Sequence, residues 1–227
     1  MNRHIWYSCN KVTERQIETL RQAMLNNPFK EISPTGFRVQ DARKKKISGT
    51  FIEKLDYFDE VLDPLGAALK VRRLRFDITE FLISTDYPHI ELLNPSRSVQ
   101  TILNRLAEFL NFEITYELVS FDLESLLTEL ITVFPKITIS RVRYDGVPVG
   151  QDAFATIIIS GQKDARESIP SFLKGKARKL RKFTVISKEP RFRCEFSDSG
   201  RIFLDGTDSD ELLKALRACF VRLNAEA

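Results

Sequence analysis

A chain of 227 residues, 43% apolar and 29% charged, is long enough to bury a core without disulfides or a metal, and its composition is not that of a disordered protein. Its 35 basic and 31 acidic residues leave a net charge of only +4, so whole-molecule electrostatics do not by themselves demand a polyanionic partner. No apolar run reaches bilayer length, and the N-terminus lacks the marks of a signal peptide, so a cytoplasmic protein with three reduced core thiols, Cys9, Cys194 and Cys219, is expected.

Alternation of β-branched and aromatic residues predicts strands at His4 to Cys9, Phe29 to Ser33, Phe37 to Gln40 and Ile47 to Leu55. Between the first two, Thr13 and Glu14 read as the capped start of a helix whose apolar stripe is Ile17, Leu20 and Met24. A second helix is predicted from about Asp59 to Lys70 on the spacing of Val61, Leu62, Leu65 and Leu69, with Pro64 in its first turn. Strands follow at Val71 to Phe76, Glu80 to Ser84 and His89 to Leu93, then a helix capped at Ser96 that buries Val99, Ile102, Leu103, Leu106, Phe109 and Leu110.

The second half reads in the same order: strand Phe112 to Phe121, a helix capped near Asp122, strands Lys136 to Tyr144 and Ala153 to Ser160, and a helix from about Asp164 to Lys174. Strands at Lys182 to Ser187, Phe192 to Ser197 and Arg201 to Leu204 precede a final helix, Asp210 to Leu223. Ile5-Trp6-Tyr7 aligns with Ile114-Thr115-Tyr116, and Lys70 through Leu74 with Lys179 through Phe183. The expectation is an α+β fold in two tandem pseudo-repeats, residues 1–112 and 113–227, each an antiparallel sheet covered on one side by helices and packed as one body.

Chemistry is sparse. His4 and His89 lie in no zinc-ligand spacing, and His89 at a turn reads as an exposed turn histidine. There is no phosphate loop, glycine-rich dinucleotide turn or nucleophile elbow. Acids such as Asp56, Asp59 and Glu60, or Asp205, Asp208 and Asp210, sit at predicted helix starts, where carboxylates cap free N–H groups, so neither a metal nor a catalytic site is expected. No cofactor is implied.

Lys188-Glu189-Pro190-Arg191, then Glu195-Phe196-Ser197-Asp198-Ser199-Gly200-Arg201-Ile202 and Asp205-Gly206 before an acid-started helix, resemble a repeat of the TATA-box-binding-protein family. The resemblance is good over residues 153–223 and loose over 47–112, where Asp86-Tyr87-Pro88-His89 stands at the Ser-Gly turn and Asn94-Pro95 at the glycine. It implies a sheet that lies on the DNA minor groove, with Phe183 and Phe196 in the positions of the family's wedge rings and Phe76 and Ile83 as their first-half counterparts. The reading from the residues themselves is that Phe183, Val185, Phe192, Cys194 and Phe196 are sheet residues facing helices.

The function these features support is non-catalytic nucleic-acid binding, DNA in preference to RNA, through Arg72, Arg73, Arg75, Arg181, Lys182, Arg191 and Arg193 with Phe183 and Phe196. The alternative is a regulatory or interaction subunit that docks a protein through an open sheet face. Strand alternation separates the two: a basic, aromatic helix-free face favours nucleic acid, and an apolar one favours protein.

Overall fold

Alternation of apolar and polar residues dominates the chain, and it produces a mainly antiparallel α+β protein with four helices among the described residues. A computed structural model describes residues 2–10, 12–62, 68–96, 99–168 and 178–225. It divides into two compact units, one of Cys9–Tyr116 and one that joins Met1–Ser8 to Glu117–Ala227.

In the Cys9–Tyr116 unit, helix α1 (Glu14–Asn26) starts at a capping box: the Gln16 N–H donates to Thr13 Oγ1, and the Thr13 N–H donates back to the Gln16 side chain. Strands β2 (Thr35–Arg43), β3 (Lys46–Leu62), β4 (Ala68–Ser84) and β5 (Ile90–Leu93) form an antiparallel sheet in that order, followed by α2 (Gln100–Phe109). Where β3 and β4 are flanked by β2 and β5 their apolar residues are core: Phe37 packs ring against ring with Phe51, Phe81 and Phe109, and the Ile17, Leu20 and Met24 stripe of α1 is buried.

Three expectations are corrected in this unit. The helix expected from Asp59 to Lys70 is strand on both flanks, with Val61 opposite Leu69 and Leu62 opposite Ala68; residues 63–67 lie outside the described chain. The apolar spacing there satisfies helical and cross-strand neighbours alike, and the aromatic and β-branched residues on both sides, Tyr57, Phe58 and Val71, carry the β register through it. Phe29 to Ser33 is not a strand; Pro28 makes only an isolated bridge to Phe37. The helix expected from Ser96 begins at Gln100, with Val99 at its N-cap position.

The merged β3 and β4 are far longer than their neighbours. β2 accompanies β3 only as far as Glu53, and β5 accompanies β4 only from Glu80, so the remainder is a two-stranded ribbon. Its residues 56–62 and 68–76 are exposed, including Phe58, Leu62, Leu74 and Phe76.

In the other unit, β1 (Asn2–Cys9) pairs with β6 (Tyr116–Leu118) and with β11 (Arg201–Gly206). Helix α3 (Leu123–Val133) starts at Asp122, whose carboxylate accepts the Glu124 N–H and the Ser125 hydroxyl. Then come β7 (Thr138–Pro148), β8 (Phe154–Ser160), β9 (Lys179–Lys188), β10 (Arg191–Ser197), β11 and α4 (Ser209–Ala225), with the sheet in the order β1-β11-β10-β9-β7-β8. Trp6, Phe121 and Phe220 cluster in the core, and Leu126, Leu130, Leu212 and Leu216 are buried beside the sheet's inner face. The helix expected from Asp164 to Lys174 is a turn from Ala165 to Ser168; residues 169–177 lie outside the described chain.

Among the described residues no helix is long and apolar enough to cross a membrane. Cys9, Cys194 and Cys219 are free and buried, and burial pushes the Cys9 thiol up to about 12.

Candidate nucleic-acid interface

On β9 and β10 the residues of one parity, Phe183, Val185, Phe192, Cys194 and Phe196, are almost wholly buried on the helix-covered side. The other parity faces away from the helices, and there the strands carry Arg141 and Arg143 on β7, Lys182 and Lys188 on β9, Arg191 and Arg193 on β10 and Arg201 on β11. Register sets them in rows across the sheet. Arg143 lies beside Lys182, Arg141 beside Thr184, and Lys188 beside Arg191. Glu195 and Asp205 are the acids on the same rows of β10 and β11.

Some of this positive charge is spent internally. Lys182 Nζ donates to Glu195 Oε1 at 2.8 Å. Arg181, at the register shift between β7 and β9, donates to Asp198 at 2.5 Å and lies 3.4 Å from Asp145, and the Asp198 hydrogen bond raises its pKa above the ordinary guanidinium value. Asp145 also accepts from Thr156 and Arg143; the Thr156 hydroxyl, then Arg143, hold its carboxyl below the usual range. By contrast, among the described residues no carboxylate lies within 4 Å of Arg141, Lys188, Arg191, Arg193 or Arg201. The Arg191 backbone N–H is engaged by Asp208 at 2.6 Å, which fixes the turn while its guanidinium points to solvent.

The face is hollowed as well as basic. A depression of about 770 Å³ is bordered by Ile186, Lys188, Arg191, Arg193 and Asp205, and a second of about 660 Å³ shares Ile186 and Lys188 and reaches Lys136 and Ser140. A third of about 350 Å³ lies among Arg143, Lys182, Arg201 and Phe203. Ile158, Ile186 and Phe203 supply apolar surface between the cations.

The expected site residues divide by unit. Lys182, Arg191 and Arg193 stand on this face, with Arg181 at its margin. Phe183 and Phe196 have no exposure, and their rings pack against each other in the core with centroids 4.9 Å apart, as the face-to-helix reading of the sequence required and the wedge reading did not. Arg72, Arg73 and Arg75 lie on the β3–β4 ribbon of the other unit, and each is matched by an acid: Arg72 forks onto Asp56, Arg73 lies 3.7 Å from Asp59, and Arg75 donates to Asp77. Phe76 is on the same ribbon, its ring 6.0 Å from that of Phe29, whereas Ile83 is buried.

Missed by sequence reading were Arg141, Arg143, Lys188 and Arg201. The signal for the first two was present, since Arg141 and Arg143 alternate with the buried Val142 and Tyr144. Among the described residues no group of three or more His, Cys, Asp or Glu side chains is arranged to hold a metal ion. His89 is not merely exposed at its turn: its Nδ1 accepts the Cys9 N–H at 2.9 Å, and burial lowers its pKa. No known protein family matches the chain, and no curated protein matches it.

Proposed function

We propose that this protein binds nucleic acid without catalysis, and that the face of the sheet β1-β11-β10-β9-β7-β8 turned away from the described helices is the contact surface. The observation that carries the reading is the row of guanidinium and ammonium groups on that face, of which Arg141, Lys188, Arg191, Arg193 and Arg201 make no ion pair within 4 Å among the described residues, although Asp205 stands across from Arg193. Such groups gain most from phosphates, because each contact releases a condensed counterion and a planar guanidinium forks onto two phosphate oxygens. Lys182 on the face and Arg181 at its margin contribute once their acids are displaced, and Arg72, Arg73 and Arg75 form a secondary, self-neutralised contact on the ribbon.

Internal topology supports reading the two units as variants of one repeat. The order β2-β3-β4-β5 followed by α2 parallels β7-β9-β10-β11 followed by α4, with β8 added outside β7. The three buried free thiols fit a reducing compartment such as the cytoplasm.

A second reading, a subunit that docks a protein partner, is favoured by the ribbon, where Phe58, Leu62, Leu74 and Phe76 stand exposed. Binding of labelled polynucleotides across a salt series separates the two. Wild type should bind at low salt and release as salt rises, and Arg141→Gln with Arg193→Gln should flatten the salt slope by about two contacts' worth. Absence of binding at low salt sinks the nucleic-acid reading.

A further inference from the structure

Resting on that reading, we infer that the polymer held on this face is single-stranded. The argument begins with what the cations surround. Phe203 on β11, Ile186 on β9 and Ile158 on β8 point away from the helices, and Ile186 and Ile158 keep 36% and 49% of their surface exposed. Phosphates gain nothing from such groups. Bases do, because each base has an apolar π-face that stacks on rings, aliphatic surface and guanidinium planes.

Geometry decides whether bases can reach them. The face is six strands across, and five inter-strand spacings make it about 24 Å wide, against grooves of about 12 and 6 Å in duplex DNA, the wider of which admits only a helix or a two-stranded ribbon. Phe203 sits on β11, flanked by β1 and β10, and Ile186 on β9, flanked by β10 and β7; neither is at a rim. An undistorted duplex resting on this face meets it through phosphates alone. A duplex can be opened by side-chain wedges, but Phe183 and Phe196, to which the family resemblance gives that role, are sealed in the core. A single strand needs no opening: its phosphates lie along Arg141, Arg193 and Lys188 while its bases turn onto Phe203 and Ile186.

The test is fluorescence anisotropy with a labelled oligonucleotide of unstructured sequence, as DNA, as the same RNA, and as the DNA duplex, each over a salt series. Wild type should hold one of the single strands about 10-fold or more tighter than the duplex, the scale of one or two stacked bases. DNA and RNA arms then distinguish the two sources of single strand through the 2′-hydroxyl. Phe203→Leu and, separately, Ile186→Ser should weaken single-strand binding about 5- to 10-fold with the salt slope unchanged, because no phosphate contact is lost. Both variants should stay folded, Ile186→Ser with a lower melting point because most of that side chain is buried, and duplex binding should not move. If duplex binds as tightly as single strands, or if both folded variants bind single strands like wild type, the single-strand assignment is overturned while nucleic-acid binding stands. If no polymer binds at low salt, both fall together.

Discussion

Cys9 and His89 are joined by a hydrogen bond in which the Cys9 backbone N–H donates to His89 Nδ1 at 2.9 Å, tying the start of the Cys9–Tyr116 unit to the turn before β5. An imidazole can accept there only while it is neutral. Burial lowers the His89 pKa, with Asp86 opposing as the smaller effect. In the unfolded chain the group titrates near its ordinary value of about 6.5, so below that pH the unfolded state binds more protons than the folded one. Stability from this contact is therefore complete above about pH 6.5 and is lost as pH falls toward the folded-state pKa. Thermal melts from pH 8 to 5 should show the decline. His89→Ala should flatten that part of the profile and cost about 1–2 kcal/mol at pH 7.5, because the Cys9 N–H loses its acceptor. An unchanged profile in the variant would show that other groups govern the acid limb.

The rings of Phe183 and Phe196, stacked in the core, predict a stability phenotype. Phe183→Ala and Phe196→Ala should each lower unfolding free energy by about 3–5 kcal/mol, the cost of a large core cavity, measured by urea denaturation. Phe183→Leu should lose much less. A surface wedge would behave the other way, leaving stability intact and removing only binding, so melts and binding curves on the same samples decide its location.

How much of this was legible beforehand depended on what each signal discriminates. Thr13 and Asp122 marked helix starts correctly because capping is local chemistry, a side-chain oxygen meeting a free N–H. Ser199-Gly200 read correctly as a turn because glycine takes a left-handed φ, +72° at Gly200, without steric cost. The segment Asp59 to Lys70 misled because Val61, Leu62 and Leu69 satisfy the helical period, whereas their partners are cross-strand neighbours that no local pattern displays. On the candidate face, Arg141 and Arg143 were readable from their alternation with Val142 and Tyr144. The order that places β7 between β8 and β9, and so brings them beside Lys182, is a long-range pairing that spacing along the chain does not encode.

The β3–β4 ribbon predicts tolerance. Leu55 and Arg75 are directly paired, so residues 56–74 can be replaced by an Asn-Gly turn without disturbing the pairing of Lys46 to Glu53 with Asp77 to Ser84. The ribbon buries little of its own surface, and an isolated hairpin contributes little stability. The shortened protein should melt within about 3 °C of wild type, since the loss amounts to less than 1 kcal/mol on the usual scaling. Its affinity for nucleic acid should fall less than that of the Arg141→Gln, Arg193→Gln protein, because the ribbon guanidinia are already matched by Asp56, Asp59 and Asp77. A greater loss on deletion would move the principal contact from the sheet to the ribbon.

Gly200 supplies the sharpest test of the β10–β11 turn on which the face depends. Its φ of +72° lies in the left-handed region, and a Cβ built there would stand 1.9 Å from the Val119 carbonyl oxygen. Neither the oxygen nor the backbone that carries it can move aside as a flexible side chain would. Gly200→Ala should therefore destabilise well beyond the roughly 1 kcal/mol of left-handed strain alone, and Gly200→Val should fail to fold. Gly146, with a similar φ of +69° and nothing within 4 Å of its would-be Cβ, is the control: Gly146→Ala meets the strain without the clash. Urea midpoints of the two alanine variants, compared under one condition, separate strain from collision, and equal losses would show that the Val119 approach imposes no constraint of its own.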